Sequence, residues 1–344
     1  MLRAVLTAAA MLAGLALGEG GLGEAHTDAE GACVPAAGLQ TGTLQHISLP
    51  VGSQSRGLLV YIPRSRGAGR APLLVAFHGF HTNPWYFSKL SGLVAYAEAY
   101  GYVLALPFGT SATEPSPICC PKGCDEACCA ACPDARCADI ERPCCWNTGL
   151  SAPPTLGAVD DVELAKTIVR DLTLGACVDG SRTFALGFSM GSMMAHRLAC
   201  EASDSFRGVA AMSGHLDLLG CKPGKPLSFL SFCGTADEGC FPSVNGTFAL
   251  FGRLNGCTGG PAQTFVTATT RCEALAGCPA GIVVERCLIA GLGDEVPGHS
   301  RMYPGAPKQP ATNIDAIEYL FDRFSVVGDG IASVHAKQEA VMHV

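Results

Sequence analysis

Residues 182–202 read RTFALGFSMGSMMAHRLACEA, an apolar run that reaches a serine between two glycines and then changes its pattern. The run TFAL predicts a buried strand, and MMAHRLAC predicts a helix. Between them, Gly187, Ser189 and Gly191 have the spacing Gly-x-Ser-x-Gly. A strand-to-helix turn this sharp needs glycine at both flanking positions, because side chains there would collide with the strand and the helix. The pattern predicts that Ser189 is a nucleophile on a strained turn; the alternative is a glycine-lined turn with a surface serine.

Segments of strand and helix character alternate on both sides of this turn. The buried-strand runs PLLVAFHGF (72–80) and YVLALPFG (102–109) enclose a helical stretch, SKLSGLVAYAEAYG (88–101). Further along, VDDVELAKTIVRDL (159–172) has helical periodicity and a capping-box start. Strand–helix–strand alternation is the signature of a parallel sheet with crossover helices. We therefore predict an α/β fold with a mostly parallel sheet and helices on both faces.

The N-terminal residues indicate export. MLRAVLTAAAMLAGLALGEG has one basic residue, a short apolar run and small residues suited to a signal peptidase. We predict a signal peptide over 1–18, with a membrane anchor as the alternative, and an N-terminal segment over 19–40. A single α/β domain is predicted over 41–325 and a loose tail over 326–344. No later stretch is long and apolar enough to span a bilayer.

Composition narrows the compartment and the partners. The net charge of −7 gives no basic footprint for nucleic acid. Of the 19 cysteines, a cluster falls within a predicted insertion over 111–146. Disulfides are favoured there, with a zinc site at Cys129-Ala-Ala-Cys132 as the competing interpretation. The insertion leaves the sheet edge where substrates bind in open α/β folds, so it is either a lid or a stabilising knob. Asn245-Gly246-Thr247 is a glycosylation acceptor if the chain is secreted.

A serine nucleophile needs donors for the oxyanion and an acid that orients its base. The amides of Phe80, after the strand that ends in FHGF, and of Met190 are the predicted oxyanion donors. Asp237 follows a predicted buried strand and is the predicted acid, with Glu238 as a close alternative. His78 is the competing base, disfavoured because the base follows the acid along the chain in this type of fold.

Several of these stretches together resemble a known family. APLLVAFHGF, AYAEAYGYVLALPFG, CCWNTG with VDDVELAK, GFSMGSMMA, GTADEG with LNGC, and YPG are similar, in that order, to the secreted polyhydroxybutyrate depolymerase and feruloyl esterase family of α/β-hydrolases. The resemblance runs from about residue 48 to residue 324. It implies a secreted serine esterase that needs no metal or organic cofactor, with Ser189 as nucleophile and Asp237 as acid in a Ser–Asp–His triad.

The base is where the sequence departs from that family. The family pattern Gly-Gly-Gly-His-x-Trp-Pro-Gly aligns with GLGDEVPG, which has Asp294 in place of histidine. With a small insertion, GHSRMYPG restores the pattern, with His299 as the base and Tyr303 in place of tryptophan. The later His335 and His343 lie in the predicted tail, where nothing would hold an imidazole beside a serine. We therefore predict that His299 is the base and that Asp294 is an insertion residue.

The sequence as a whole predicts a secreted serine esterase acting on carboxylic esters through an acyl-enzyme on Ser189. Polyester, feruloyl, acetyl-xylan and short-chain esters all stay open as substrates. The alternative is an inactive hydrolase fold used for binding, because the expected base position is Asp294. A serine peptidase on the same fold is the third hypothesis.

Overall fold

The computed structural model describes residues 22–80, 82–111, 144–299 and 312–329. The predicted signal peptide, most of the cysteine-rich insertion and the tail beyond residue 329 lie outside the described residues. Within the described ranges, no helix has the length and apolarity needed to cross a membrane.

The centre of the molecule is a ten-stranded sheet with two short two-stranded ribbons beside it. In chain order the strands are β1 (His26–Thr27), β2 (Cys33–Val34), β3 (Leu44–Val51), β4 (Gln54–Tyr61), β5 (Ala71–Phe77), β6 (Val103–Pro107), β7 (Thr110–Ser111), β8 (Cys144–Cys145), β9 (Val178–Phe188), β10 (Gly208–Met212), β11 (Ser228–Gly234), β12 (Pro261–Val266), β13 (Thr270–Leu275) and β14 (Val284–Ile289).

The order across the large sheet is β12-β13-β14-β11-β10-β9-β5-β6-β4-β3. Its six central strands, from β14 to β6, run parallel, and antiparallel pairs close both sides. The predicted mostly parallel sheet is therefore confirmed. Parallel strands end at one edge of the sheet, and the turns after β5, β9, β11 and β14 are where the predicted functional residues lie.

Helices cover both faces of the sheet, as predicted. They are α1 (Pro84–Ser91), α2 (Leu93–Tyr100), α3 (Asp161–Gly175), α4 (Met190–Glu201), α5 (Val244–Leu254) and α6 (Ala316–Asp329). One apolar core contains buried side chains of α3, α4 and α5, and the other contains those of α1, α2 and α6. The sheet thus lies between two helical layers.

The helix boundaries follow local sequence signals. Asp160 accepts a hydrogen bond from the Glu163 amide at 2.8 Å and so caps α3, as the capping-box pattern predicts. The helical stretch predicted to end at Gly101 does end there, but it is divided in two at Gly92. Gly92 has φ of +65°, a left-handed conformation that ends α1 before α2 begins.

The antiparallel strands β12 and β13, on one side of the sheet, were not predicted from the sequence. Strands β12 and β13 pair with a register shift between Gln263 and Phe265. Five of the six residues of β12 are exposed, namely Pro261 to Thr264 and Val266. This strand therefore lacks the apolar alternation that marks a half-buried strand.

Five disulfides form among the described cysteines outside the clustered region, whereas the choice between disulfides and zinc within the cluster stays a prediction. They are Cys33–Cys177, Cys200–Cys221, Cys233–Cys240, Cys257–Cys278 and Cys272–Cys287. The clustered cysteines at 119–137 lie outside the described residues. Asn245, in the predicted glycosylation acceptor, is exposed on α5.

A buried ion pair joins one antiparallel side of the sheet to α3. The Arg56 guanidinium of β4 donates to Asp161 at 2.8 Å, and both side chains are almost completely buried. The same guanidinium donates to the Phe108 carbonyl, and the second carboxylate oxygen of Asp161 accepts from the Asn147 amide. Four segments of the chain therefore meet at the Arg56–Asp161 ion pair.

Removing the charge of Asp161 should destabilise the fold strongly. In Asp161→Asn, the buried Arg56 charge would lose its counter-ion, and loss of one partner of a buried pair costs about 3–5 kcal/mol in free energy of unfolding. Urea denaturation followed by tryptophan fluorescence measures this. As a control, Asp179→Asn removes the partly exposed Asp179–Arg182 pair, which should cost less than about 1 kcal/mol. Equal losses for the two variants would contradict the prediction.

Candidate active site

Ser189 lies on a strained turn between β9 and α4. Its φ of +52° is rare for a residue with a side chain, and its amide donates to the Met212 carbonyl at 2.9 Å. A Cβ atom on Gly187 would overlap the Gly191 carbonyl, and one on Gly191 would overlap the Phe77 carbonyl of β5. Only glycine allows the strand, the turn and the helix to approach this closely. The sequence prediction for the shape of this turn is confirmed.

The loop after β5 is fixed from several sides by its own histidine. His78 is completely buried; its Nδ1 donates to the Gly79 carbonyl at 2.8 Å and its Nε2 accepts from the Gly109 amide at 3.1 Å. Burial lowers the pKa of His78 to about 4, although its backbone hydrogen bond acts in the opposite direction. A neutral imidazole with both nitrogens occupied holds the backbone that leads to Phe80. The structure thus gives His78 a structural role.

The exit of the cysteine-rich insertion packs on this same loop. Trp146 is fully buried, its ring meets Phe77 edge-on at 5.1 Å, and its Nε1 donates to the His78 carbonyl at 2.8 Å. Trp146 therefore has a packing role. The oxyanion loop that would present the Phe80 amide therefore rests on an aromatic side chain contributed by the insertion.

Asp237, the predicted acid, is buried and lies just after β11. One of its carboxylate oxygens, Oδ1, accepts from the amides of Gly239 and Cys240 at 2.9 and 3.0 Å, whereas Oδ2 is buried and makes no hydrogen bond with any described residue. The neighbouring Glu238 is exposed. Cys233 and Cys240 lie close enough to Asp237 for a metal site, but their sulfurs are bonded to each other. The loop is thus closed by a disulfide, with one carboxylate oxygen still available.

Asp294 is the residue that contacts the predicted nucleophile. The Ser189 hydroxyl donates to Asp294 Oδ2 at 2.9 Å. Asp294 follows β14 on a loop adjacent to that of Asp237, since the Ala236 amide donates to the Leu292 carbonyl at 2.9 Å. This contact was not predicted from the sequence, although Asp294 aligns with the histidine of the resembled family.

His299, the predicted base, is placed elsewhere by the structure. Its Nδ1 lies 3.1 Å from the Leu90 carbonyl oxygen, and its Nε2 lies 3.1 Å from Oδ1 of Asp315 at the start of α6. Among the described residues, no hydrogen bond joins His299 to Ser189 or Asp237. The structure therefore brings Ser189 and Asp294 together and leaves His299 at the junction of α1 and α6.

Asp315 organises that junction. Besides His299, its carboxylate accepts from the amides of Ile317 and Glu318 and from the Tyr96 hydroxyl. Burial alone would raise the pKa of Asp315, but the hydrogen bond and charge of His299, with the Glu318 and Tyr96 donors, outweigh it and lower the pKa below its ordinary value. The pair thus anchors the loop after β14 to the last helix.

His196, on the helix that follows Ser189, is also buried. It lies on α4, and its Nδ1 bonds the Ser192 carbonyl at 2.8 Å. Burial lowers its pKa to about 4. It packs in the core, where its ring contacts Phe229.

Comparisons with known proteins give sequence relatives that are esterases by name. No protein-family model matches the chain. It is 31% identical over 169 residues to feruloyl esterase B of Piromyces equi, an alignment covering 43% of this chain and 30% of that protein. It is 34% identical over 110 residues to a probable feruloyl esterase C of Aspergillus oryzae, covering 31% of this chain and 38% of that protein. The chain thus spans less than two fifths of the length of either relative.

Among solved structures, an acetyl xylan esterase from Aspergillus awamori is similar with a TM-score of 0.49 and 14% identity, over 75% of this chain and 96% of that one. The sheet order and the two helical layers described above define the α/β fold of this chain.

Replacing Gly191 by alanine should disrupt the turn at Ser189. The added methyl group would overlap the Phe77 carbonyl, and backbone has to move to relieve this. Overpacking of this kind costs about 1–3 kcal/mol, and here it also displaces the serine. The free energy of unfolding and the labelling of Ser189 by a fluorophosphonate measure the two effects.

The control for this variant is Gly246→Ala on α5, where a Cβ atom would meet nothing within 4 Å. Alanine there should stabilise the helix by up to about 1 kcal/mol. Loss of stability in both variants alike, or normal labelling in Gly191→Ala, would contradict the close-approach argument.

The Asp315 carboxylate should make stability depend on pH under acid conditions. Because its pKa is lower in the folded protein than in the unfolded chain, its stabilising contribution is complete above the ordinary pKa of 3.8 and is lost as the pH falls through the folded value. Thermal unfolding of wild type and Asp315→Asn at a series of pH values measures the difference. The difference should shrink below pH 4; a difference that stays constant down to the lowest pH would contradict it. Asp204→Asn, at an exposed site, is the control.

Proposed function

We propose that this α/β-hydrolase, a sequence relative of feruloyl esterases, is an ester hydrolase that works through an acyl-enzyme on Ser189. The observation that carries the proposal is the strained Ser189 turn, in which a serine hydroxyl is already hydrogen-bonded to a carboxylate. A serine held at positive φ between a parallel strand and a helix is the arrangement that exposes the hydroxyl to a substrate carbonyl.

The predicted oxyanion donors fit this chemistry. Met190 opens α4, and the first amides of a helix have no partner within the helix. The positive end of the helix macrodipole also favours a negative oxygen at this place. The Phe80 amide follows the loop that His78 and Trp146 hold. In the proposed reaction these two amides stabilise the tetrahedral oxyanion, and Asp237 serves as the buried acid of the site.

The substrate class is inferred from the relatives. Those reported above are named for esters of ferulic acid, and the proposed substrates of this chain are feruloyl, acetyl or other short-chain carboxylic esters. The five disulfides are of the kind that persist in oxidising compartments, which supports the predicted export of the chain.

The second candidate function is binding without turnover. The observation that favours it is the carboxylate of Asp294 against Ser189, because a neutral imidazole is the usual base for a serine nucleophile. In that case the fold would bind ester-containing ligands without cleaving them.

Covalent labelling and turnover separate the two functions. A fluorophosphonate probe should label wild type at Ser189, and a panel of p-nitrophenyl and feruloyl esters should be hydrolysed. Ser189→Ala should abolish both, whereas Ser181→Ala, at an exposed serine on β9, should change neither. A folded wild-type protein that hydrolyses no ester would favour binding, and hydrolysis that survives in Ser189→Ala would overturn the serine mechanism.

A further inference from the structure

We propose that Asp294 is the proton acceptor for Ser189, so that this hydrolase uses a carboxylate where imidazole is expected. The inference rests on the proposed function, because it concerns the base of the same reaction. It replaces the sequence-based expectation that His299 takes this role.

The Asp294 carboxylate is in contact with the Ser189 hydroxyl. Asp294 Oδ2 and Ser189 Oγ are 2.9 Å apart, within the reach that a general base needs. Among the described residues, Asp294 is the one whose side chain forms a hydrogen bond with that hydroxyl. Asp294 itself is exposed, so that substrate and water can reach the pair.

The loop that holds Asp294 is fixed on both sides. Before it, Leu292 is buried and its carbonyl accepts from the Ala236 amide at 2.9 Å. After it, the Glu295 carbonyl accepts from the Ser213 hydroxyl at 2.9 Å, and Val296 is fully buried. The backbone on either side of Asp294 is therefore anchored to the loops after β11 and β10. The position of the Asp294 carboxylate is therefore set by the anchored backbone on either side of it.

His299, the base predicted from the sequence, is held by other partners. Both ring nitrogens of His299 face acceptors, the Leu90 carbonyl and the Asp315 carboxylate, and its side chain is only 13% exposed. To reach Ser189, the imidazole would have to leave both partners and uncover Asp315, which also caps α6. In the described structure, His299 positions the end of the loop rather than the reacting hydroxyl.

The proposed reaction balances as follows. Ser189 Oγ attacks the ester carbonyl carbon while its proton passes to Asp294 Oδ2. The bond between that carbon and the alkoxy oxygen then breaks, and the protonated Asp294 returns the proton to the departing alcohol. Water attacks the acyl-enzyme, gives one proton to Asp294 and releases the acid, and Ser189 Oγ recovers the proton from Asp294. No further reactant is needed.

A carboxylate base has two kinetic consequences. It is a weaker base than imidazole, so turnover should be slow, but it stays ionised to a lower pH, because an aspartate ordinarily titrates near pH 4 and a histidine near 6.5. The titratable side chains near this loop include Asp237 on the adjacent loop, Glu295 beside Asp294, and Tyr86 on α1, which the charge of Glu295 reaches. The buried Asp237 Oδ2, with no hydrogen-bond partner among the described residues, can accept from an imidazole placed at position 294.

The experiment compares Asp294→Asn, Asp294→His and His299→Gln, with Asp204→Asn as the exposed-carboxylate control. Two rates are measured against pH for each: kcat/KM on p-nitrophenyl acetate, and covalent labelling of Ser189 by a fluorophosphonate. Asp294→Asn should lower both rates by about 10²-fold or more, the usual contribution of a general base. His299→Gln should cost less than Asp294→Asn.

The pH profile supplies a readout that a purely structural role would not move. The acid limb of the rate should lie at a higher pH in Asp294→His than in wild type, because imidazole ordinarily titrates at a higher pH than a carboxylate, and Asp294→His should be faster above pH 7. Circular dichroism checks that every variant is folded.

The outcomes separate the two proposals. Ester hydrolysis that requires Ser189 but persists unchanged in Asp294→Asn would overturn the role of Asp294 and keep the serine esterase. The role of Asp294 would also be overturned if a wild-type limb near pH 6.5 disappears in His299→Gln. Labelling that depends on Asp294 without any ester turnover would keep the base and overturn the esterase. Absence of both labelling and turnover in the folded protein would overturn both.

Discussion

The architecture of the site depends on a close approach between backbones at the nucleophile turn. Gly187 and Gly191 let β9, α4 and β5 meet with no side chain between them, and the Ser189 amide is fixed to the carbonyl of Met212 in the next strand. These contacts hold the serine at a φ that a flexible loop would not maintain. The rest of the site is arranged around this fixed point, because the neighbouring strands deliver their loops to the same edge.

Buried polar groups connect this edge to the cysteine-rich insertion. Asp161 binds both Arg56 and the amide of Asn147, directly after the insertion, and Asp217 accepts from Thr148 and Ser151 at 2.7–2.9 Å. Two buried carboxylates therefore fix the same short segment at successive points. Trp146, directly before this segment, donates to the His78 carbonyl and so connects the segment to the loop that carries the predicted oxyanion donor Phe80.

The sequence predicted the parallel core and the serine turn because both depend on local patterns: apolar runs, glycine spacing and a capping aspartate. It did not predict β12, whose exposed residues lack such a pattern. Ser189 and Asp237 were predicted as site residues from their places after strands, and the structure puts them at the same sheet edge. The partner of Ser189 was not predicted, because Asp294 and His299 are five residues apart on one loop, and only the path of that loop decides which side chain reaches the hydroxyl.

The two outer strands of the large sheet bear on how copies of the protein behave at high concentration. An unpaired strand edge is a template on which another molecule can add its own strand. Here β12 begins with Pro261, which has no N–H to donate, and its register is interrupted before Phe265; β3, at the other side, contains Pro50. Within the described residues, each edge thus interrupts the regular ladder of donors and acceptors that sheet-to-sheet aggregation requires.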